Sequence, residues 1–112
     1  MPPKKNPANL NPLQLKTLTL LQEIARLENT PAEGEEGAFV ITALPHAHGN
    51  HFHLGSAVVS GSDATGLNNG AVWGILERKK MLRQEPGRAV ITAEGMAYDT
   101  GLRDSILHRS DH

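Results

Sequence analysis

Four of the six histidines fall in one run, His46-Ala47-His48-Gly49-Asn50-His51-Phe52-His53. On an extended strand, residues two apart point the same way. His46 and His48 therefore share a face, as do His51 and His53. Gly49-Asn50 suits a two-residue type II′ turn, because glycine takes the first central position at no steric cost. Centred there, the turn pairs His48 with His51, Ala47 with Phe52, His46 with His53 and, farther out, Ile41 with Val58. Directly opposed side chains in such a ladder have Cβ atoms about 4.5–5.5 Å apart. All four imidazoles then crowd one side of a hairpin tip. Pro45, Ala47, Phe52 and Leu54 project from the other side, toward the core.

Neutral imidazole is a borderline ligand suited to Zn, Ni, Cu or Fe, and three or four nitrogens at about 2.0–2.1 Å complete a zinc shell. The pattern predicts a divalent transition metal, Zn or Ni, held by His46, His48, His51 and His53. Carboxylates in the second layer would orient the rings, and the nearest in sequence are Glu36 and Asp63. The plainer alternative is a wet hairpin face whose histidines bond to one another or to water.

Other chemistry finds little support. Ser56, Ser60 and Ser62 lie near the histidines, but none sits in a Gly-x-Ser-x-Gly elbow. Residues 66–74 (GLNNGAVWG) lack the lysine and spacing of a phosphate loop. His-Phe-His is not the His-Glu-x-x-His of a zinc protease, and no paired carboxylates are suggested. The chain is expected not to be an enzyme. A metal hydrolase ranks last among the readings.

The elements that must position these residues fit one domain, since the chain has 112 residues. Hydrophobic residues make up 38% and aromatics only 4%, so the core must be aliphatic and modest. Homodimerisation would add buried surface. A formal net charge of -1 gives no overall pull toward nucleic acid or anionic lipid, so any such binding needs a local basic patch. There is no cysteine, hence no disulfide framework and no thiol chemistry. No apolar run approaches membrane-spanning length and no signal-peptide core is present, so a cytoplasmic protein is expected.

Residues 1–9, with Pro2, Pro3, Lys4, Lys5 and Pro7, read as a disordered arm. A helix then starts at Asn11 as cap, with Pro12 at the first position and Gln14 completing a capping box. Leu13, Leu18, Leu21, Ile24 and Ala25 recur at helical spacing, widened by Leu20 and Leu27. The helix ends near Asn29, before Pro31, and 30–37 is an acidic loop. Residues 38–60 read as one long β-hairpin, with Pro45 placing the first arm at an edge or bend. Residues 61–66 break the pattern. Asn68 or Asn69 caps a helix through Lys80, with Val72, Ile75 and Leu76 inward. Pro86-Gly87 turns, Ala89–Ile91 is a strand, and Thr92 caps a last helix over 93–107, which Gly101 weakens. Residues 108–112 read as a flexible tail.

Within this order, Thr65-Gly66-Leu67-Asn68-Asn69-Gly70-Ala71-Val72 resembles the turn and recognition-helix start of winged helix-turn-helix proteins. Leu76 to Leu82 looks like the end of that helix and the step into the wing, with Arg83–Arg88 as a short wing. Val90-Ile91-Thr92-Ala93-Glu94-Gly95 resembles the closing strand and the start of the next helix. The likeness covers residues 65–95. It implies double-stranded DNA as partner, with the recognition helix in the major groove. Asn68, Asn69, Gly70 and Trp73 would then face bases, and Lys79, Lys80, Arg83 and Arg88 would neutralise phosphates.

The sequence thus predicts a single winged-helix-like α+β domain over residues 10–107: helix, long hairpin, short helix, wing strand, C-terminal helix. Its expected function is DNA binding or regulation, tuned by metal at the hairpin. The rival is a non-enzymatic protein-interaction or metal-binding module that does not bind DNA.

Overall fold

The computed structural model describes residues 6–45 and 47–109, with the backbone alone at 47, 48 and 109. The chain is an α+β protein. Its elements run α1 (Pro12–Glu28), β1 (Phe39–Ile41), β2 (Ala47–His48), β3 (His51–Leu54) and β4 (Ala57–Ser60). Two 3-10 turns follow, Gly61–Asp63 and Thr65–Asn68, then α2 (Gly70–Arg78), β5 (Leu82–Glu85) and β6 (Arg88–Ile91). Short helices α3 (Ala93–Ala97) and α4 (Arg103–Ile106) lead to β7 (His108–Arg109). Among the described residues, no helix is long and apolar enough to cross a membrane.

Helix α1 starts as its sequence dictates. The Asn11 side chain accepts from the Gln14 amide at 2.8 Å, and Gln14 Oε1 accepts from the Asn11 amide at 2.9 Å. Asn29 closes the helix in the left-handed region, φ 55°. Leu18, Leu20, Leu21, Ile24 and Ala25 are buried as the spacing predicts, but so are Thr17, Thr19 and Gln22. The reason is position: α1 touches β1 and β6 on one side and β3 on another, as well as α2, α3 and α4. Its buried polar groups find partners inside. Thr19 Oγ1 meets Thr100 Oγ1 at 2.5 Å, and the Gln22 amide donates to the Gly95 and Tyr98 carbonyls, each at 2.8 Å. Buried polar atoms are tolerable only when so satisfied.

The strands form two antiparallel sheets, ordered β1-β6-β5 and β2-β3-β4-β7. This corrects the single long hairpin expected over 38–60. Ile41 pairs with Ala89, not Val58, and Val58 lies between His53 and His108. Two features divide the segment. Residues 42–45 run outside any strand and end at Pro45, which has no N–H to give a ladder. Gly55, at φ +59°, makes a second two-residue turn with Ser56, so β3 folds back onto β4.

The rest of the chain differs at its ends. Asn69 caps α2, and the helix stops at Arg78 rather than Lys80, which takes φ +66°. The final helix over 93–107 is two short helices, with Gly101 between them at φ +72°. His108 and Arg109, expected in a flexible tail, pair with Val58 and Ala57. At the start, the arm's residues 1–5 lie outside the described residues. Asn6 to Asn9 is an ordered turn, where Asn6 bonds to the Leu10 backbone and Ala8 N–H donates to the Tyr98 hydroxyl at 3.2 Å.

Candidate functional site

The histidine hairpin turns where the sequence places it. Gly49, at φ +69°, and Asn50 join β2 to β3, with Ala47 opposite Phe52 and His48 opposite His51. Along β3, Leu54 is buried and Phe52 packs on the core, while His51 and His53 occupy the opposite face, half-buried. Their rings stand edge to face, 79° apart with centroids at 4.9 Å. His51 Nε2 lies 3.1 Å from His53 Nε2. A hydrogen bond between these atoms requires different roles: one nitrogen carries its proton and the other accepts. The separation also has meaning for a metal. Two nitrogens at about 2.0–2.1 Å from one tetrahedral ion stand about 3.4 Å apart. The two imidazoles are thus within a few tenths of an ångström of a shared-ion spacing.

Of the other two expected ligands, His46 lies outside the described residues. His48 is placed by its backbone, directly across from His51. Among the described residues, no three histidine or carboxylate groups converge on one ion. Asp63 is held by Lys16 at 2.9 Å. Glu36 lines a cleft beside β5 and α3, together with Lys80 and Arg83. The register adds a residue that sequence reasoning assigned to the tail: His53, Val58 and His108 form one row across β3, β4 and β7. No local signal marks His108, because its row depends on a strand pairing across 50 residues. Beside His53 lies an apolar cleft of about 350 Å³ lined by Leu27, Leu44, Pro45 and Leu54, with Leu27 half exposed.

The residues expected to meet DNA are more dispersed in role. Asn69 Oδ1 accepts from the Ala71 and Val72 amides at 3.0 and 3.4 Å, so it caps α2. Trp73 is half-buried, and its indole N–H is shared between the Gly66 and Leu67 carbonyls, each at 3.2 Å. Lys79 Nζ donates to the Ala8 carbonyl at 2.6 Å. Asn68 and Lys80 are exposed, and a side chain at Gly70 would meet open space. The two arginines are brought together on the β5–β6 hairpin, but through acids. Arg83 grips Glu35 with both Nη atoms at 2.5 and 3.0 Å, and its Nε donates to Glu85 at 2.7 Å. Arg88 Nε donates to the other Glu85 oxygen at 2.7 Å.

The charges respond accordingly. Hydrogen bonds from Arg83 hold the Glu35 carboxyl below its usual value, and those from Arg83 and then Arg88 do the same for Glu85. Arg83 is pushed above arginine's ordinary value by Glu35 first and Glu85 second. Glu35 of the acidic loop and Glu85 of the hairpin itself thus neutralise Arg83 and Arg88 of the expected wing. The raw materials were visible in the sequence, but the Glu35–Arg83 contact spans 48 residues. Comparison with protein-family models, with curated proteins and with solved structures finds no match for this chain.

Proposed function

We propose that this chain is a non-enzymatic regulatory module that binds one divalent transition metal, Zn or Ni, on its histidine hairpin. The observation that carries the reading is the His51–His53 pair, with Nε2 atoms 3.1 Å apart on the half-buried face of the four-stranded sheet. The reading calls on His48, whose backbone stands across from His51, as a further donor, while His46, expected as the fourth, lies outside the described residues. An all-imidazole set without thiolate suits Zn or Ni over Mg or Ca. The test is calorimetric titration of untagged protein with zinc, with metal content measured after dialysis. One equivalent is expected, lost in His51→Ala plus His53→Ala. A chain that takes up no zinc, or a double variant that binds as well as the parent, overturns it.

Winged-helix-like architecture belongs to the same reading. It is supported by the strand order β1-β6-β5, by α2 leading directly into β5, and by the Pro86-Gly87 tip between β5 and β6. The β2–β4 meander and the 3-10 turns stand where the family's second helix would be. Action in the cytoplasm and homodimerisation are part of the proposal, the latter checked by sedimentation.

A second reading, duplex DNA as partner, is favoured by one specific arrangement. The capped helix α2 leaves space at Gly70 and Gly74, and carries exposed Arg78 and Lys80 at or just past its end. The Arg83 and Arg88 ion pairs with glutamates weigh against this reading, because a phosphate would have to displace a carboxylate. Duplex binding that weakens steeply with salt, and is reduced by Lys80→Glu, would move this reading ahead. Binding absent at low salt removes it.

A further inference from the structure

The outer edge of the three-stranded sheet is covered rung by rung until the chain reaches Leu44. Alternate residues of a strand turn their N–H and C=O groups to the same side. Val40, on β1, gives its N–H to the Thr30 carbonyl at 2.8 Å. Thr42, two residues on, gives its N–H to Glu28 Oε1 at 2.9 Å and its hydroxyl to Glu28 Oε2 at 3.1 Å. A side-chain carboxylate stands there in place of a neighbouring strand. Leu44 is the next rung. The chain runs from 42 to 45 with neither turn nor bend, and among the described residues the backbone of Ala43 and Leu44 makes no hydrogen bond. Pro45 has no N–H and ends the series. An uncovered rung of this kind is where a further strand can add.

The free rung lies along an open groove of about 350 Å³, a size within the range of binding clefts. Its walls are apolar, built from Ile24, Leu27, Leu44, Pro45 and Leu54. Among the described residues, Leu27 alone of the large apolar side chains is exposed, at 50%. It is nevertheless braced: a Cβ on Gly55 would lie 2.9 Å from Leu27 Cδ2, so the turn between β3 and β4 supports the leucine. Besides His53, the one acidic or basic side chain in the lining is Glu28. Thr42 occupies two of the roughly four acceptor positions of that carboxylate, which leaves it open to a cation.

We infer that this groove takes an extended peptide of a partner protein by strand addition. An apolar side chain enters between Leu27 and Leu44, and a basic one beside it meets Glu28. The peptide's main chain pairs with the Leu44 N–H and C=O, which supplies the hold, while the groove and the carboxylate supply selectivity. The inference does not rest on the metal site; it adds a protein-binding edge to the proposed module.

The probe is acetyl-Lys-Thr-Leu-Thr-Lys-amide, in which the leucine and both lysines share one face when extended. It is titrated into the full chain in a chelating buffer, so that no metal takes part, with amide shifts followed by NMR. The expected result is saturable shifts centred on Ala43 and Leu44, with slower hydrogen exchange at the Leu44 amide. Methylating the leucine nitrogen of the probe removes a main-chain donor and should weaken binding about tenfold. Leu27→Lys, at an exposed position, should weaken it by a similar factor. Glu28→Gln keeps an acceptor for Thr42 and should weaken it about threefold at low salt. A probe that shifts no amide near Leu44, or that binds equally well when methylated or with Leu27→Lys, overturns the proposal. So does a Leu44 amide already protected without probe, in a protein that sediments as a dimer and is made monomeric by Leu27→Lys. The groove then belongs to a second copy of the chain.

Discussion

The two sheets make opposite use of similar material. In the three-stranded sheet, Ala89, Val90 and Ile91 are buried in succession, so β6 is covered on both faces. Helix α1 lies against one side, and Ala32 and Ala38 meet Val40 and Val90 in a small second core. In the four-stranded sheet, Leu54 and Val59 are buried, while His51, His53 and Val58 on the other face are only partly so. A strand buried on both faces reads as a continuous apolar run, and one with a wet side alternates. Arg88-Ala-Val-Ile91 and His51-Phe-His-Leu54 are those two patterns.

The sharpest way to break this contrast is substitution in each sheet. Ile91→Ala, at a fully buried position, should cost about 3 kcal/mol in urea unfolding. The double variant at His51 and His53, which are half-buried and bonded to each other, should cost less, about 1 kcal/mol without metal. Comparable losses from both would mean that the histidine face is part of the core. Next in size is the gain from metal. With free zinc at about 100 times its dissociation constant, the stability should rise by about 2.7 kcal/mol. That increment should vanish in the histidine double variant and survive Asn69→Ala. The latter removes the cap of α2 and should itself cost about 1 kcal/mol in thermal unfolding.

The smallest effect belongs to the Glu35–Arg83–Glu85–Arg88 network, whose partners are partly exposed and so screened by solvent. The folded carboxyls of Glu35 and Glu85 lie below their ordinary value of 4.5. Their contribution is therefore present above about pH 4.5 and lost as the pH falls through the lowered folded values. An acid titration of stability in Glu35→Gln should be flatter than the parent's in that window. High salt should narrow the difference.

Local chemistry was legible and long-range partner choice was not. The capping box at Asn11 and Gln14, the turn at Gly49-Asn50 and the caps at Asn69 and Thr92 all stand where short-range rules put them. The shared face of His51 and His53 follows from a period of two and needs no tertiary knowledge. The partner of β1 did need it: residues 39–41 suit a strand against β4 as well as against β6, and only the whole core decides. Gly55-Ser56 carries the same turn signature as Gly49-Asn50, and counting both would have recovered the meander. The burial of Thr17, Thr19 and Gln22 was not visible, because a stripe on a helical wheel assumes one covered face.

That surrounded helix has a kinetic corollary. The Thr19 hydroxyl already donates to Leu15 within the helix, but the buried amide of Gln22 waits for the Gly95 and Tyr98 carbonyls, 73 and 76 positions farther along. Contacts of such sequence separation carry a loop-closure cost before they return anything, which slows the barrier crossing. The capped helix can flicker into shape early, yet it has no finished surroundings until the segment around residue 100 arrives. Maturation of the molecule is thus timed by its last quarter, not by its most regular element.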